Sequence, residues 1–170
     1  MSAVKDMHLL ARVLAARERR AALRLAACAA FGDAFAIGEL GLNVPGWPKL
    51  GRTWFVPFVR GLRALAPEIE LRALIADDAG YWALLRGPGS PRAHKHRCCV
   101  IEEAAPWGRL LDFDWYAGGR KIDREQLGLE ARRCWVCGGD PQDCLFELRH
   151  DLEQSRARAR QLARSSRRSS

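Results

Sequence analysis

The chain has 170 residues, and its 28 Lys and Arg outweigh 20 Asp and Glu to give a formal charge of +8. This length suits one domain. A hydrophobic content of 48% excludes wholesale disorder, and the longest apolar stretch, 25–31, is far too short to cross a bilayer.

Residues 7–31 contain no Gly or Pro and are rich in Ala, Leu and Arg, which predicts one long helix or two in succession. Arg17, Arg19 and Arg20 are expected on its solvated side. Residues 38–44 form a short apolar strand that stops at Pro45-Gly46. Thr53 is placed to cap a helix reaching about residue 65, with Pro57 near its first turn and Pro67 beyond its end. Ile69, Leu71, Ala73 and Ile75 alternate with Glu70 and Arg72, the period of a strand, and Leu74 breaks the alternation, so the far end is expected to be buried on both faces. Further strands are expected at 81–85, 98–102 and 110–116, with a Gly/Pro-rich loop over 86–95 and a turn at Gly118-Gly119. Asp140-Pro141 opens a last helix that runs through Leu148 toward Leu162. The pattern is α+β, a mixed or antiparallel sheet with flanking helices.

The positive charge is unevenly placed. Residues 155–170 hold six Arg and no acid, which leaves +2 for the rest. A single domain is expected over 1–154, followed by a basic tail, disordered or a frayed helix. The start of the chain carries Asp6 and no apolar run of the secretory kind, so a cytoplasmic setting is expected. Six cysteines in a reducing compartment point to metal binding or chemistry before disulfides. Cys28, Cys98 and Cys99 sit in apolar runs and read as core.

Two segments carry chemistry. In the strand 110–116, Asp112 and Asp114 fall on one face while Leu111, Phe113 and Trp115 face the core. Paired carboxylates repel one another and resist burial. A divalent cation resolves this, and Mg²⁺ is typically held by one or two carboxylates plus substrate phosphates. Gly108 and Arg109 just before the strand offer room and charge for a phosphate, the needs of a nucleotidyl-transfer site. Glu102 and Glu103 are candidates for a third carboxylate. The plain alternative is a strand whose two Asp meet water.

The second segment is Cys134, Cys137, Cys144 and His150, a C-x2-C-x6-C-x5-H pattern of zinc-ligand types. On an unbroken helix Cys144 and His150 diverge by roughly 120°, so one metal requires the helix to start late or bend. Reduced cysteines packed at a helix start, or a redox C-x-x-C pair, are the other readings. His8, His94 and His96 show no partner pattern.

Together these segments resemble the apo-citrate lyase phosphoribosyl-dephospho-CoA transferases, also called holo-citrate lyase synthases. The family pattern runs E-x-x-H-P-L-G-R-L-x-D-I-D-V, then Ser-Arg, then R-R-C-L-L-C, Cys and His. Here it is matched by Glu102, Pro106, Gly108, Arg109, Leu110, Asp112, Asp114, Arg124, Arg132, Arg133, Cys134, Cys137, Cys144 and His150. An upstream P-G-x-x-K appears as Pro45, Gly46 and Lys49. The chain departs from the pattern at Ala105 for the His, Trp107 and Trp115 for hydrophobic positions, and Asp123 for the Ser.

The resemblance implies a nucleotidyltransferase-like fold and a transfer reaction. The phosphoribosyl-dephospho-CoA group of 2′-(5″-triphosphoribosyl)-3′-dephospho-CoA would pass to a Ser of an apo acyl carrier protein subunit of citrate lyase or a related enzyme, with release of pyrophosphate. Asp112 and Asp114 would hold Mg²⁺. Arg109, with N–H groups near Gly108, would neutralise phosphate charge. Lys49, Arg124 and Arg132 or Arg133 would make further contacts, and Glu102, Glu103 or Asp112 would serve as base. The competing reading is a non-enzymatic zinc knuckle that binds nucleic acid through its Arg tail. A body at +2 lacks the basic stripe this needs.

Overall fold

The computed structural model describes residues 2–32 and 34–165. A single helix, α1 (Ser2–Phe31), leads into strand β1 (Ala36–Leu42), helix α2 (Arg52–Arg63) and the hairpin β2 (Glu70–Asp77) and β3 (Gly80–Gly87). Helix α3 (Pro91–Glu103) and a 3-10 turn over Pro106–Leu110 precede β4 (Leu111–Ala117) and the short β5 (Arg120–Lys121). Helices α4 (Pro141–Phe146) and α5 (Leu152–Ser165) close the described chain. The five strands lie in the order β2-β3-β1-β4-β5, every pair antiparallel. The expected α+β class with flanking helices therefore holds, and the sheet is antiparallel.

Alternation along the strands divides residues between two faces. Leu40, Ala83, Leu85, Leu111, Phe113 and Trp115 point into the main core with Phe58 of α2 and Cys98 of α3. Gly38 lies under Trp115, whose ring would sit 2.7 Å from any Cβ there, so the large indole dictates glycine on the neighbouring strand. The opposite face carries Ile37, Trp82 and Leu84 against Ala27 and Cys28 of α1. On this face Asp112 stands across from Gly41, and Asp114 from Glu39.

Several expectations change. The segment 98–102 is helix: α3 begins at Pro91 behind Ser90 and buries His94, Lys95, Cys98, Cys99 and Glu102. That is a helical stripe whose polar members hid it, while the β-branched pair Val100 and Ile101 suggested a strand; Val100 is exposed. The loop expected over 86–95 shrinks accordingly, because β3 extends to Gly87. Thr53 lies inside α2, which has no side-chain cap. Arg20 is buried, donating to Asp77 and to the Gly80 carbonyl.

The last helix is two. Asp140 caps α4 by accepting from the Gln142 N–H at 2.6 Å. The chain leaves the helix at Leu148, whose φ is +50°. Asp151 and Gln154 restart it with reciprocal backbone bonds, a capping box. Helix α5 crosses the boundary drawn at 154 and buries Ala159, Leu162 and Ala163 beside Val44, Trp54 and Leu110. The expected tail is thus ordered helix through Ser165; residues 166–170 lie outside the described residues. No helix among the described residues is long and apolar enough to cross a membrane.

Candidate active site

Strand β4 adjoins two cavities. The smaller, about 310 Å³, opens on the α1 face of the sheet and contains Asp112 and Asp114, with Glu39, Lys49, Arg17, Arg20 and Arg24 around them. The larger, about 1120 Å³, lies along the β4 edge and holds Glu102, Glu103, Arg109, Arg124, Arg132 and Arg133 together with Cys134, Cys144 and His150. The residues singled out in the sequence are therefore split. Only Lys49 joins the aspartate pair.

The two aspartates differ. Asp114 is buried and paired, with Lys121 at 2.9 Å and Lys95 at 3.5 Å. Asp112 has no hydrogen bond or ion pair among the described residues. It is exposed by area, yet its crowded carboxyl is pushed above the ordinary carboxylate value, first by desolvation and then by Asp114, against the pull of Arg132 and Lys121. Like-charge conflict is thus relieved at Asp114 by lysines and remains at Asp112.

The third carboxylate on this face is Glu39. It accepts from Trp82 Nε1 at 3.1 Å and Tyr116 OH at 2.5 Å and pairs with Arg24 at 3.4 Å. Burial and these contacts with Glu39 raise the Tyr116 hydroxyl far above its usual range, so Tyr116 remains a donor. Across the cavity stand cations without carboxylate partners. Arg17 and Lys49 have no hydrogen bond or ion pair among the described residues. Burial, followed by Arg17, Arg20 and Arg156, lowers the Lys49 ammonium. Unpaired cations facing an unpaired carboxylate make a place for a metal-bearing anion: the carboxylate takes the metal and the cations take the phosphates.

Glu102 has another task. It is 2% exposed, accepts from the Phe113 N–H at 3.1 Å and pairs with Arg124 at 3.0 Å and Arg132 at 2.5 Å. Arg132 also donates to the Leu111 carbonyl at 2.8 Å, and Lys95 donates to the Phe113 carbonyl. Strand β5 covers only Tyr116 and Ala117. The Ile122 N–H donates to the Trp115 carbonyl at 2.9 Å, and these side chains satisfy the edge at Leu111 and Phe113, which would otherwise present bare backbone groups. Arg124 additionally pairs with Glu103 at 2.5 Å. Glu102 is thus held by two arginines and a backbone N–H, and Arg124 and Arg132 are engaged with it. Arg109 donates to the Arg133 carbonyl, and Arg133 pairs loosely with Glu130 at the surface. Gly108 is glycine because a Cβ there would lie 2.6 Å from the Ile101 carbonyl oxygen; the close approach is to α3. Ala105 lines the larger cavity, apart from Asp112.

The cysteine segment closes on itself. The donor atoms of Cys134, Cys137, Cys144 and His150 all lie within 4.8 Å of one another. The break after α4 removes the divergence that an unbroken helix would impose. Burial pushes the Cys134 thiol up, but N–H donors at 137 and 136 and the two neighbouring thiols outweigh it and bring it down to about 7. Cys144 is pushed up to about 12, first by burial and then by its hydrogen bonds with Cys137 and Cys134.

A family model described as apo-citrate lyase phosphoribosyl-dephospho-CoA transferase matches residues 8–166. The chain belongs to this family. It is 29% identical over 158 residues to "Protein CitXG" of Leuconostoc mesenteroides subsp. cremoris, an alignment that spans 85% of this chain and 32% of that protein. It is 27% identical over 105 residues to "Protein CitXG" of Haemophilus influenzae, spanning 59% of this chain and 23% of that one. The chain therefore spans about a third or less of the curated relatives it matches. The match runs from α1, which supplies Arg17, Arg20 and Arg24, to α5. The family assignment therefore covers both cavities.

The sequence reading missed Glu39 and the α1 arginines. Arg17, Arg20 and Arg24 follow i, i+3, i+7 spacing, one helix face, but a solvated stripe has the same spacing. Glu39 was detectable only as a charge between two glycines in an apolar strand.

Proposed function

We propose that this protein transfers the phosphoribosyl-dephospho-CoA group from 2′-(5″-triphosphoribosyl)-3′-dephospho-CoA to a Ser hydroxyl of an apo acyl carrier protein subunit of citrate lyase or a related enzyme. The hydroxyl gives up its proton to a carboxylate base, its oxygen forms a new bond to the phosphorus nearest the ribose, the bond from that phosphorus to the bridging oxygen of the next phosphate breaks, and pyrophosphate departs. The observation that carries this reading is the small cavity, where the unpaired Asp112 beside Asp114 faces the unpaired Lys49 and Arg17, in a chain of this family. The fold is proposed to be nucleotidyltransferase-like, with two Asp on one strand and Glu39 on its neighbour.

The cavity suits Mg²⁺. Asp112 would hold it, joined by Asp114 on displacement of Lys121, and the ion would neutralise charge on the polyphosphate when bound. The chain's own cations do the rest. Lys49 and Arg17 bind the pyrophosphate part, and Arg20, fixed on Asp77, keeps α1 in register over the sheet. Tyr116 and Trp82 hold Glu39 by donating to it. Arg109 and Arg133, at the larger cavity, are proposed to contact the nucleotide portion of the donor or the carrier.

The nucleic-acid alternative loses support. Arg156 of the basic segment donates to the Pro45 and Pro48 carbonyls, and Arg158 to that of Trp135. These arginines hold α5 to the body.

The test is to incubate the protein with purified apo carrier subunit, the triphosphoribosyl donor and Mg²⁺, and to weigh the carrier by mass spectrometry. A gain of one phosphoribosyl-dephospho-CoA on a Ser is expected. No gain on any apo carrier of this type, with Mg²⁺ or Mn²⁺, would refute the proposal.

A further inference from the structure

We infer that Cys134, Cys137, Cys144 and His150 hold one zinc ion that ties the segment after β5 to the C-terminal helices. The inference stands apart from the transfer reaction and rests on four features of the cluster.

The first is convergence. Three sulfurs and an imidazole nitrogen from positions sixteen residues apart share a space 4.8 Å across. Cys137 Sγ and Cys144 Sγ are 3.4 Å apart. Tetrahedral zinc, with Zn–S bonds of ~2.3 Å, sets sulfurs about 3.8 Å apart, so the Cys137–Cys144 pair lies within a few tenths of an ångström of that spacing and the other donors are near enough to join it. A disulfide needs ~2.05 Å and would use two of the four groups, leaving a thiol and the imidazole without a purpose.

The second is an orphan. His150 Nε2 is buried with no hydrogen-bond partner. A buried polar nitrogen without a partner is costly, and a metal bond satisfies it. The third is the turn between the first two cysteines. Cys134 N–H donates to the Gly139 carbonyl at 2.7 Å, and Gly138 N–H to the Cys134 carbonyl at 2.8 Å. Val136 N–H points at Cys134 Sγ and Gly139 N–H at Cys137 Sγ, each at 3.4 Å. Backbone donors aimed at sulfur favour the thiolate, the form a metal takes. Gly138 has φ +80°, a conformation that glycine reaches without strain.

The fourth is the exit from α4. Cys144 sits in that short helix, and the left-handed residue Leu148 swings the chain so that His150 returns to the sulfurs. Three thiolates and an imidazole select zinc over Mg²⁺ or Ca²⁺, and four protein ligands leave no open position, the mark of a structural site. Each thiol gives up its proton on binding. The site would pin Trp135, which packs on the Val44, Trp54 and Leu110 cluster, and with it one wall of the larger cavity.

The test is metal analysis of the full chain purified without chelator under reducing conditions. About one zinc per chain is expected, falling to near zero in Cys144→Ser and His150→Asn and unchanged in Cys28→Ser and Cys99→Ala. Because ligand variants can misfold, the unaltered chain is also reconstituted with Co²⁺, where a tetrahedral thiolate spectrum is expected. Zinc near zero in the unaltered chain, an octahedral cobalt spectrum, or a Cys137–Cys144 disulfide in the reduced preparation would overturn the inference. A chain that carries no zinc as purified without chelator, yet modifies its carrier when Mg²⁺ is supplied, would overturn the zinc site and leave the transferase reading intact. Zinc-loaded protein that modifies no carrier would do the reverse.

Discussion

On the α1 face of β4, an unpaired carboxylate meets unpaired cations; along the free edge of the same strand, a buried carboxylate meets cations already bound to it. Both regions are built from acids and arginines, and a count of charges would not separate them. Pairing does. Glu102, Arg124 and Arg132 are closed on one another and on the backbone of β4, so their charges are used up in holding the edge. Asp112, Lys49 and Arg17 have charge left over. A binding site keeps charges that the protein alone does not pair, and an anchoring network pairs the charges it holds.

The sharpest way to break this comparison is to treat the edge network as dispensable. In Glu102→Ala two arginines lose their buried partner and the Phe113 N–H loses its acceptor. Breaking a buried pair from one side costs about 3–5 kcal/mol, which in a chain of this size lowers Tm by roughly 6–20 °C. Thermal unfolding followed by circular dichroism checks it. A Tm unchanged within about 2 °C would place Glu102 among the free groups.

The converse holds for Asp112→Asn. The fold should remain, and transfer should fall by roughly 10²-fold or more, the scale of losing a charge that orders the reacting phosphate. Carrier modification rates and a native circular dichroism spectrum, measured together, decide it. A variant that lost its fold would make Asp112 an anchor like Glu102. Lys49→Met is expected to be milder, raising KM for the triphosphoribosyl donor by about 10-fold, or ~1.4 kcal/mol, with Tm little changed. An equal drop in Tm would mean that Lys49 is held by the fold and not by the substrate.

How far these differences could be read in advance depends on range. Strands β1 to β4 and helix α1 follow from local alternation and from the Gly and Pro that interrupt it. The Asp112/Asp114 face follows from the same alternation. Helix α3 does not, because His94, Lys95 and Glu102 are buried by virtue of β4, which comes later in the chain. His94 stacks on Trp115 at 4.5 Å, and Lys95 and Glu102 close the strand edge. Nothing local to those polar residues marks the strand that buries them. The pairing of Glu102 with Arg124 and Arg132 is likewise out of reach of local pattern, because 22 and 30 residues separate the partners. The Cys cluster was legible as a spacing, while its closure depends on a left-handed Leu148 where no Gly or Pro marks a break.

The smallest effect is also the most diagnostic. The Asp112 carboxyl titrates above its ordinary value of 3.8, so the folded chain holds its proton more tightly than the unfolded chain does. Stability then falls as pH rises from the ordinary value through the raised one, and above that the ionised Asp112 is a constant burden. Asp112→Asn removes the burden. The variant should therefore melt slightly higher than the parent at pH 7, by a degree or so on the scale of ~2–4 °C per kcal/mol, and the gap should close below about pH 4. Added Mg²⁺ should narrow it at pH 7 by raising the Tm of the parent alone, because the cation binds the native carboxylate and stabilises it by mass action. The Glu102 network predicts the opposite sign, since that carboxylate is matched by two arginines and gains nothing from neutralisation. A lower Tm for Asp112→Asn at pH 7, or an equal response of both proteins to Mg²⁺, would show that the small cavity satisfies its own charges and that the contrast between the two regions fails.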